Sequence, residues 1–216
     1  MGLHRRAWVV EQPFQGRVVR EEVQLPGPDE VLVEAEWGAV SAGSEYLVFS
    51  GAAQKTMELD AAADGTTGDS VYPLRYGYIL TGRVAFCGAR VNSEQWLGRR
   101  VYAFHPHATH AILPVDRLLP IPDGIAEEAA PLYANTETAV SLHWDAALLP
   151  GESVIILGAG IVGLLVAGIA ARSGAGWVVL VDADQDRRRW AERYLRAAGC
   201  GSALATVDVV ASLEQA

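Results

Sequence analysis

The feature that most restricts the fold is a glycine turn, Gly158-Ala159-Gly160-Ile161-Val162-Gly163, set between two apolar runs. The run before it, Ser153-Val154-Ile155-Ile156-Leu157, reads as a strand of a parallel sheet covered on both faces, where no polar face is needed. The run after it, Ile161 to Ala171, reads as a buried helix ending near Gly174. A second buried strand follows at Trp177 to Val181, closed by Asp182. A second helix is expected from Asp186 to Ala198, capped by Gly199, with Trp190, Tyr194 and Ala197 on one stripe and Ala191, Leu195 and Ala198 beside it. A third strand is expected over Ala203 to Val210.

Strand, glycine turn, helix and strand in this order make a βαβ unit, and the glycines then have separate tasks. Gly158 permits a tight turn, Gly160 lets a pyrophosphate approach the backbone, and Gly163 lets helix and strand pack closely. The helix N-terminus, with Ile161 and Val162 in its first turn, aims free N–H groups and positive dipole at the phosphates. Asp182 lies about twenty residues on, where an acid accepts bonds from the adenosine ribose. The cofactor expected is NAD; Arg187, near enough to attract a 2′-phosphate, keeps NADP as the lesser option.

The first part of the chain has another texture. Asp29 to Val40 alternates, with Val31, Val33, Ala35 and Trp37 on one face and Glu30, Glu34 and Glu36 on the other. Leu80, Gly82, Val84 and Phe86 alternate likewise, and Val101 to Phe104 and Ala111 to Val115 read as short strands. Between the first two, Gly51 to Asp69 reads as a long surface loop. Glu127 to Trp144 is helical in composition, with Pro131 at a start or a break. The fold expected is therefore α/β with a β-rich front: domain 1–124, then 125–216.

A net charge of −9 argues against a nucleic-acid partner. Arg187-Arg188-Arg189 is read as solvated helix surface. Two isolated cysteines, Cys87 and Cys200, make neither a disulfide framework nor a cysteine-rich zinc site, and Cys87 is read as a small strand residue. No apolar stretch is long enough to span a bilayer, so no membrane partner and a cytoplasmic location are expected.

The chain resembles the medium-chain dehydrogenase/reductase superfamily, and within it the zinc-less branch typified by 2-desacetyl-2-hydroxyethyl bacteriochlorophyllide dehydrogenase. The resemblance lies in Gly38-Ala39-Val40-Ser41-Ala42-Gly43-Ser44-Glu45, Tyr76-Gly77-Tyr78, Leu97-Gly98-Arg99-Arg100-Val101, Pro106-His107-Ala108 and Leu119-Pro120-Ile121-Pro122-Asp123-Gly124, besides the glycine turn. It implies a GroES-like β-barrel followed by a Rossmann doubly wound sheet, here only its first half. Zinc-dependent members carry a Cys near Ser41 and a Gly-His pair at Gly77-Tyr78; serine and tyrosine are poor zinc ligands, so no zinc is expected. The spacing of His105, His107 and His110 leaves adventitious metal binding as the exception.

Without a metal, another group must handle the proton or the developing oxyanion. Tyr78 is the first candidate, at the former metal position, followed by Ser41, Ser44 and Glu45 from the implied active-site loop and His107 as a proton relay. Thr138, with Thr136, is implied to face the nicotinamide side. The reaction expected joins a secondary alcohol and a carbonyl compound, with this chain as the N-terminal portion of the enzyme. Two alternatives stay open: a non-catalytic nucleotide-binding or interaction module that dimerises through a free sheet edge, and an NADPH-dependent enoyl or quinone reductase.

Overall fold

In the computed structural model, residues 2–52, 72–200 and 206–212 are described. Most of the expected loop at Gly51–Asp69 lies outside them. The chain divides into two compact units, residues 1–132 and 133–216, so the division falls past the expected boundary at 124/125.

The first unit opens with a hairpin, β1 (His4–Gln12) and β2 (Gln15–Glu22), that sequence alternation did not single out. A five-stranded antiparallel sheet follows: β3 (Glu30–Gly38), β4 (Leu80–Cys87), β5 (Arg100–Ala103), β6 (His110–Pro114) and β7 (Leu119–Pro120), in the order β6-β3-β4-β5-β7. Single bridges, Ala7 to Ala108 and Val10 to Leu74, tie the hairpin to the rest of the unit. Short helices α1 (Ser44–Phe49) and α2 (Ser93–Trp96) also lie in the unit. Val31, Val33, Leu80, Val84, Val101 and Leu113 form its core.

Two β-bulges correct the expected faces. A shift between Leu32 and Val33 leaves Ala85 of β4 without a partner, which turns Phe86 outward while Cys87 packs against the core; Leu32, between Val31 and Val33, is buried as well. A second shift between Ala35 and Trp37 leaves Trp37 46% exposed instead of buried. Cys87 is thus a strand residue as read, and burial pushes its thiol pKa up, away from the reactive thiolate.

The second unit is the βαβ region. Pro131 sits in a 3-10 turn (Ala130–Leu132) just before α3 (Tyr133–Asp145), so the helix begins later than its composition suggested. Next come β8 (Ser153–Leu157), α4 (Ile161–Arg172), β9 (Trp177–Val181), α5 (Gln185–Ala197) and β10 (Thr206–Val210). The strands are parallel in the order β10-β9-β8, the 3-2-1 half of a doubly wound sheet. Small residues (Ala167, Ala170, Ala171, Ala175 and Ala191) fill the core and let the helices lie close on the sheet. Gly199, at φ 73°, ends α5 as expected.

β8 is not covered on both faces: Val154 and Ile156 meet the core, but Ile155 is exposed and Leu157 is 69% exposed. The strand packs chiefly on α4 and β9, which take one face and one edge. On α5 the buried stripe is Ala191 and Leu195, while Trp190 is exposed beneath the Arg193 guanidinium. Among the described residues no helix is long and apolar enough to cross a membrane.

Candidate active site and cofactor cradle

The cradle is built by β8, α4 and β9. Gly158 has φ 102°, a backbone region that other residues rarely adopt, and its N–H donates to the Val181 carbonyl at 2.7 Å. A Cβ on Gly163 would stand 1.9 Å from the Gly158 carbonyl oxygen, so only glycine lets α4 start this close to the turn. A Cβ on Gly160 would meet nothing within 4 Å, so the space beside the turn is open. Gly160 caps α4 without a side-chain bond, and the N–H groups of Ile161, Val162 and Gly163 have no carbonyl one turn back. An open surface rimmed by unpaired donors at a helix N-terminus suits a pyrophosphate.

Asp182 completes the turn from the end of β9. Its Oδ2 accepts from the Ala159 N–H at 2.8 Å and its Oδ1 from the Asp184 N–H at 2.9 Å. These bonds, from Asp184 first and Ala159 second, hold its carboxyl below the usual value of 3.8, with Arg187 and Arg188 adding to the effect. The side chain is 9% exposed, and each oxygen keeps a lone pair for a further donor such as a ribose hydroxyl. Arg187 lies 3.8 Å from Oδ2 and is itself 63% exposed. Arg188 is not merely solvated surface: it donates to the carbonyls of Asp182 and Ala183 and so pins the loop. The hydroxyl of Thr138 donates to the Ala134 carbonyl within α3, on an exposed part of the helix beside Thr136 and Glu137.

The first unit holds the second feature. His107 Nε2 donates to Glu45 Oε2 at 2.8 Å, and Glu45 Oε1 accepts from the Ser41 N–H at 2.8 Å. A residue of α1, one of the loop before it and one of the 104–109 segment are thereby tied together. Since a carboxylate only accepts, the Nε2 of His107 carries the proton of this bond. Gly77, at φ 125°, backs directly onto the imidazole: a Cβ there would lie 2.6 Å from His107 Cδ2. The pair lines an open cavity of about 430 Å³ whose walls include Trp8, Tyr46, Phe49 and Tyr76.

Of the residues expected at the site, Glu45 and His107 are brought together and Ser41 supports them through its backbone. Ser44 is exposed at the start of α1 and does not line the cavity. Nor does Tyr78; the tyrosine on the wall is Tyr76. In a regular strand both would point the same way, and the positive φ of Gly77 between them breaks that alternation. The three histidines of the 105–110 segment take different partners: His105 bonds the Pro106 carbonyl, His107 bonds Glu45 and His110 bonds Thr109.

No family model matches the chain. L-threonine 3-dehydrogenase of Xanthomonas axonopodis pv. citri (strain 306) is 29% identical over 78% of this chain and 54% of its own length. The fold of 2R,3R-butanediol dehydrogenase from Bacillus subtilis superposes with a TM-score of 0.76 at 17% identity, covering 98% of this chain and 64% of that one. An alcohol dehydrogenase from E. coli CFT073, in complex with NADH, superposes with a TM-score of 0.71 at 17% identity, covering 94% and 62%. At such identities the two structures show the fold alone. The chain is similar in sequence and fold to the medium-chain dehydrogenase/reductases. It spans about half the length of the L-threonine 3-dehydrogenases it matches.

The cradle was legible from glycine spacing. The aromatic wall of Trp8, Tyr46, Phe49 and Tyr76 was not, because its members come from three separate segments: β1, α1 and the stretch before β4. The one local signal was Gly77 between two tyrosines, which marks a close backbone approach.

Proposed function

We propose that this chain is the front part of a zinc-independent, NAD-dependent oxidoreductase that interconverts a secondary alcohol and a carbonyl compound. The observation that carries the proposal is the glycine turn with Asp182. Gly158 makes the turn, Gly163 brings α4 against it, and the open side of Gly160 faces unpaired N–H groups. Residues 158–163 would hold the pyrophosphate and Asp182 the adenosine ribose. The ionised carboxylate disfavours a 2′-phosphate by charge, which supports NAD over NADP. When bound, the nicotinamide supplies the hydride acceptor or donor.

The chain's own residues deal with the proton. Glu45 is anchored by the Ser41 N–H and holds His107 through Nε2, so the imidazole is fixed in orientation. A substrate hydroxyl set against this pair can release its proton to the dyad on oxidation, or take one from it on reduction. The aromatic and aliphatic walls leave this pair as the main polar groups facing such a substrate.

Calorimetric titration with NADH and with NADPH tests the reading. NADH is expected to bind saturably and at least tenfold tighter than NADPH. In Asp182→Ala, NADH is expected to weaken at least tenfold. A preference for NADPH would favour the enoyl or quinone reductase alternative; no binding of either by folded protein would defeat the proposal.

A further inference from the structure

The walls of the first unit's cavity carry more information than its dyad. Trp8, Tyr46, Phe49 and Tyr76 present four aromatic side chains to one space, with Val40 and Val48 between them. Apart from Glu45, His107 and the polar edges of the aromatic residues, no polar side chain lines it among the described residues. Its volume of about 430 Å³ falls within the range of small-molecule pockets, roughly 300–1,000 Å³.

The wall is held in place at some cost. Phe14, at the tip of the β1–β2 hairpin, has φ 61°, a left-handed conformation unusual for an aromatic residue. Its N–H donates to the Phe49 carbonyl at 2.7 Å. Its ring meets Phe49 edge-on at 5.8 Å between centroids and Tyr46 at 6.4 Å. The hairpin thus braces two wall residues from outside.

We infer that the cavity takes a neutral, aromatic secondary alcohol or ketone, with its single oxygen at the Glu45–His107 pair. The inference rests on the oxidoreductase reading above and names its substrate class. An aromatic ring gains stacking and edge contacts from these walls. A zwitterion such as threonine would bury a carboxylate where no Arg or Lys lines the described wall. A vicinal diol would set its second hydroxyl against a mainly apolar wall, an expense that neutral aromatic ketones avoid.

Acetophenone, L-threonine and 2,3-butanediol would be titrated calorimetrically into the whole chain and into Ala42→Phe. Ala42 is an exposed cavity-lining residue, so the larger side chain fills the space without disturbing a core. Acetophenone is expected to bind saturably, at least tenfold tighter than either polar compound, and to lose at least tenfold in Ala42→Phe. Equal or tighter binding of threonine or butanediol would overturn the inference, as would acetophenone binding that Ala42→Phe leaves unchanged. NADH titration of the same samples separates the two claims. NADH binding without acetophenone binding defeats the substrate class alone; acetophenone binding without NADH binding sustains the cavity's preference and defeats the oxidoreductase reading.

Discussion

At the scale of single residues, the glycines with a forced conformation or a forced contact give the sharpest expectations. Gly163→Ala places a methyl group against the Gly158 carbonyl and should cost about 2–3 kcal/mol, as overpacking does, along with NADH binding. Chemical denaturation and calorimetry would check both; an unchanged midpoint would show that the turn can give way. Gly77→Ala should push His107 off Glu45 and lower stability by about 1–3 kcal/mol, through the strained φ as well as the contact. The opposite sign is expected at Ala147, which is exposed and has φ 48°. Ala147→Gly relieves a left-handed conformation costing about 1–2 kcal/mol and gives back part of that as chain entropy, leaving a gain of about 0.5 kcal/mol.

Asp182 gives a pH dependence whose sign is fixed by its hydrogen bonds. Its folded pKa lies below 3.8, so the unfolded chain takes up the proton first as acid is added. The stabilisation is fully present above the unfolded value and is lost as pH falls through the lower, folded one. Denaturation of wild type and Asp182→Asn should therefore differ by a constant amount at neutral pH and converge in acid below about 3.8. A difference that grew as pH fell would contradict the assignment of these bonds. The ionised state also implies that NADH affinity does not titrate through Asp182 between about pH 6 and 8.

At the scale of elements, periodicity located β8, α4, β9 and α5 to within a residue or two, because a glycine turn and a run of apolar residues leave few alternatives. It failed where the backbone departs from its own period. The bulges in the β3–β4 pair exchanged Phe86 for Cys87 and turned Trp37 outward, and no composition signal marks a bulge without glycine. The helix expected from Glu127 starts at Tyr133, since the residues around Pro131 form turns and a 3-10 segment first. On α5 an aromatic stripe looked like core, but Ala191 and Leu195 took that face. The hairpin β1–β2 was missed although it supplies Trp8 and Val10 to the cavity, because its solvent-facing strand carries too few apolar residues to alternate.

At the scale of the molecule, each unit carries one feature on which the proposed function rests: the Glu45–His107 pair in a cavity with aromatic walls, and the glycine turn at a helix N-terminus. The second was readable in the sequence because the pyrophosphate demands backbone, not side chains, and glycine spacing is the trace it leaves. The first was readable only in part. Glu45 and His107 could be named as candidates, but their pairing across 62 positions, and Tyr76 in place of Tyr78, depend on how the loops close. If the proposed function holds, His107→Ala lowers turnover of the full-length protein by about 10²–10⁴-fold while leaving NADH affinity unchanged, as measured by steady-state kinetics beside calorimetry. A matching loss of cofactor binding would mean that His107 supports structure and not proton transfer.

The central claim is that Gly158 to Gly163 receive a dinucleotide. Amide chemical shifts of isotope-labelled protein, followed during titration with NADH, test it residue by residue. The account predicts that the amides of Gly158, Gly160, Ile161 and Val162 move in a saturable way, together with Asp182, and that Asp182→Ala abolishes the effect at the same concentrations. Shifts confined to other residues, or none at all in folded protein, would contradict it.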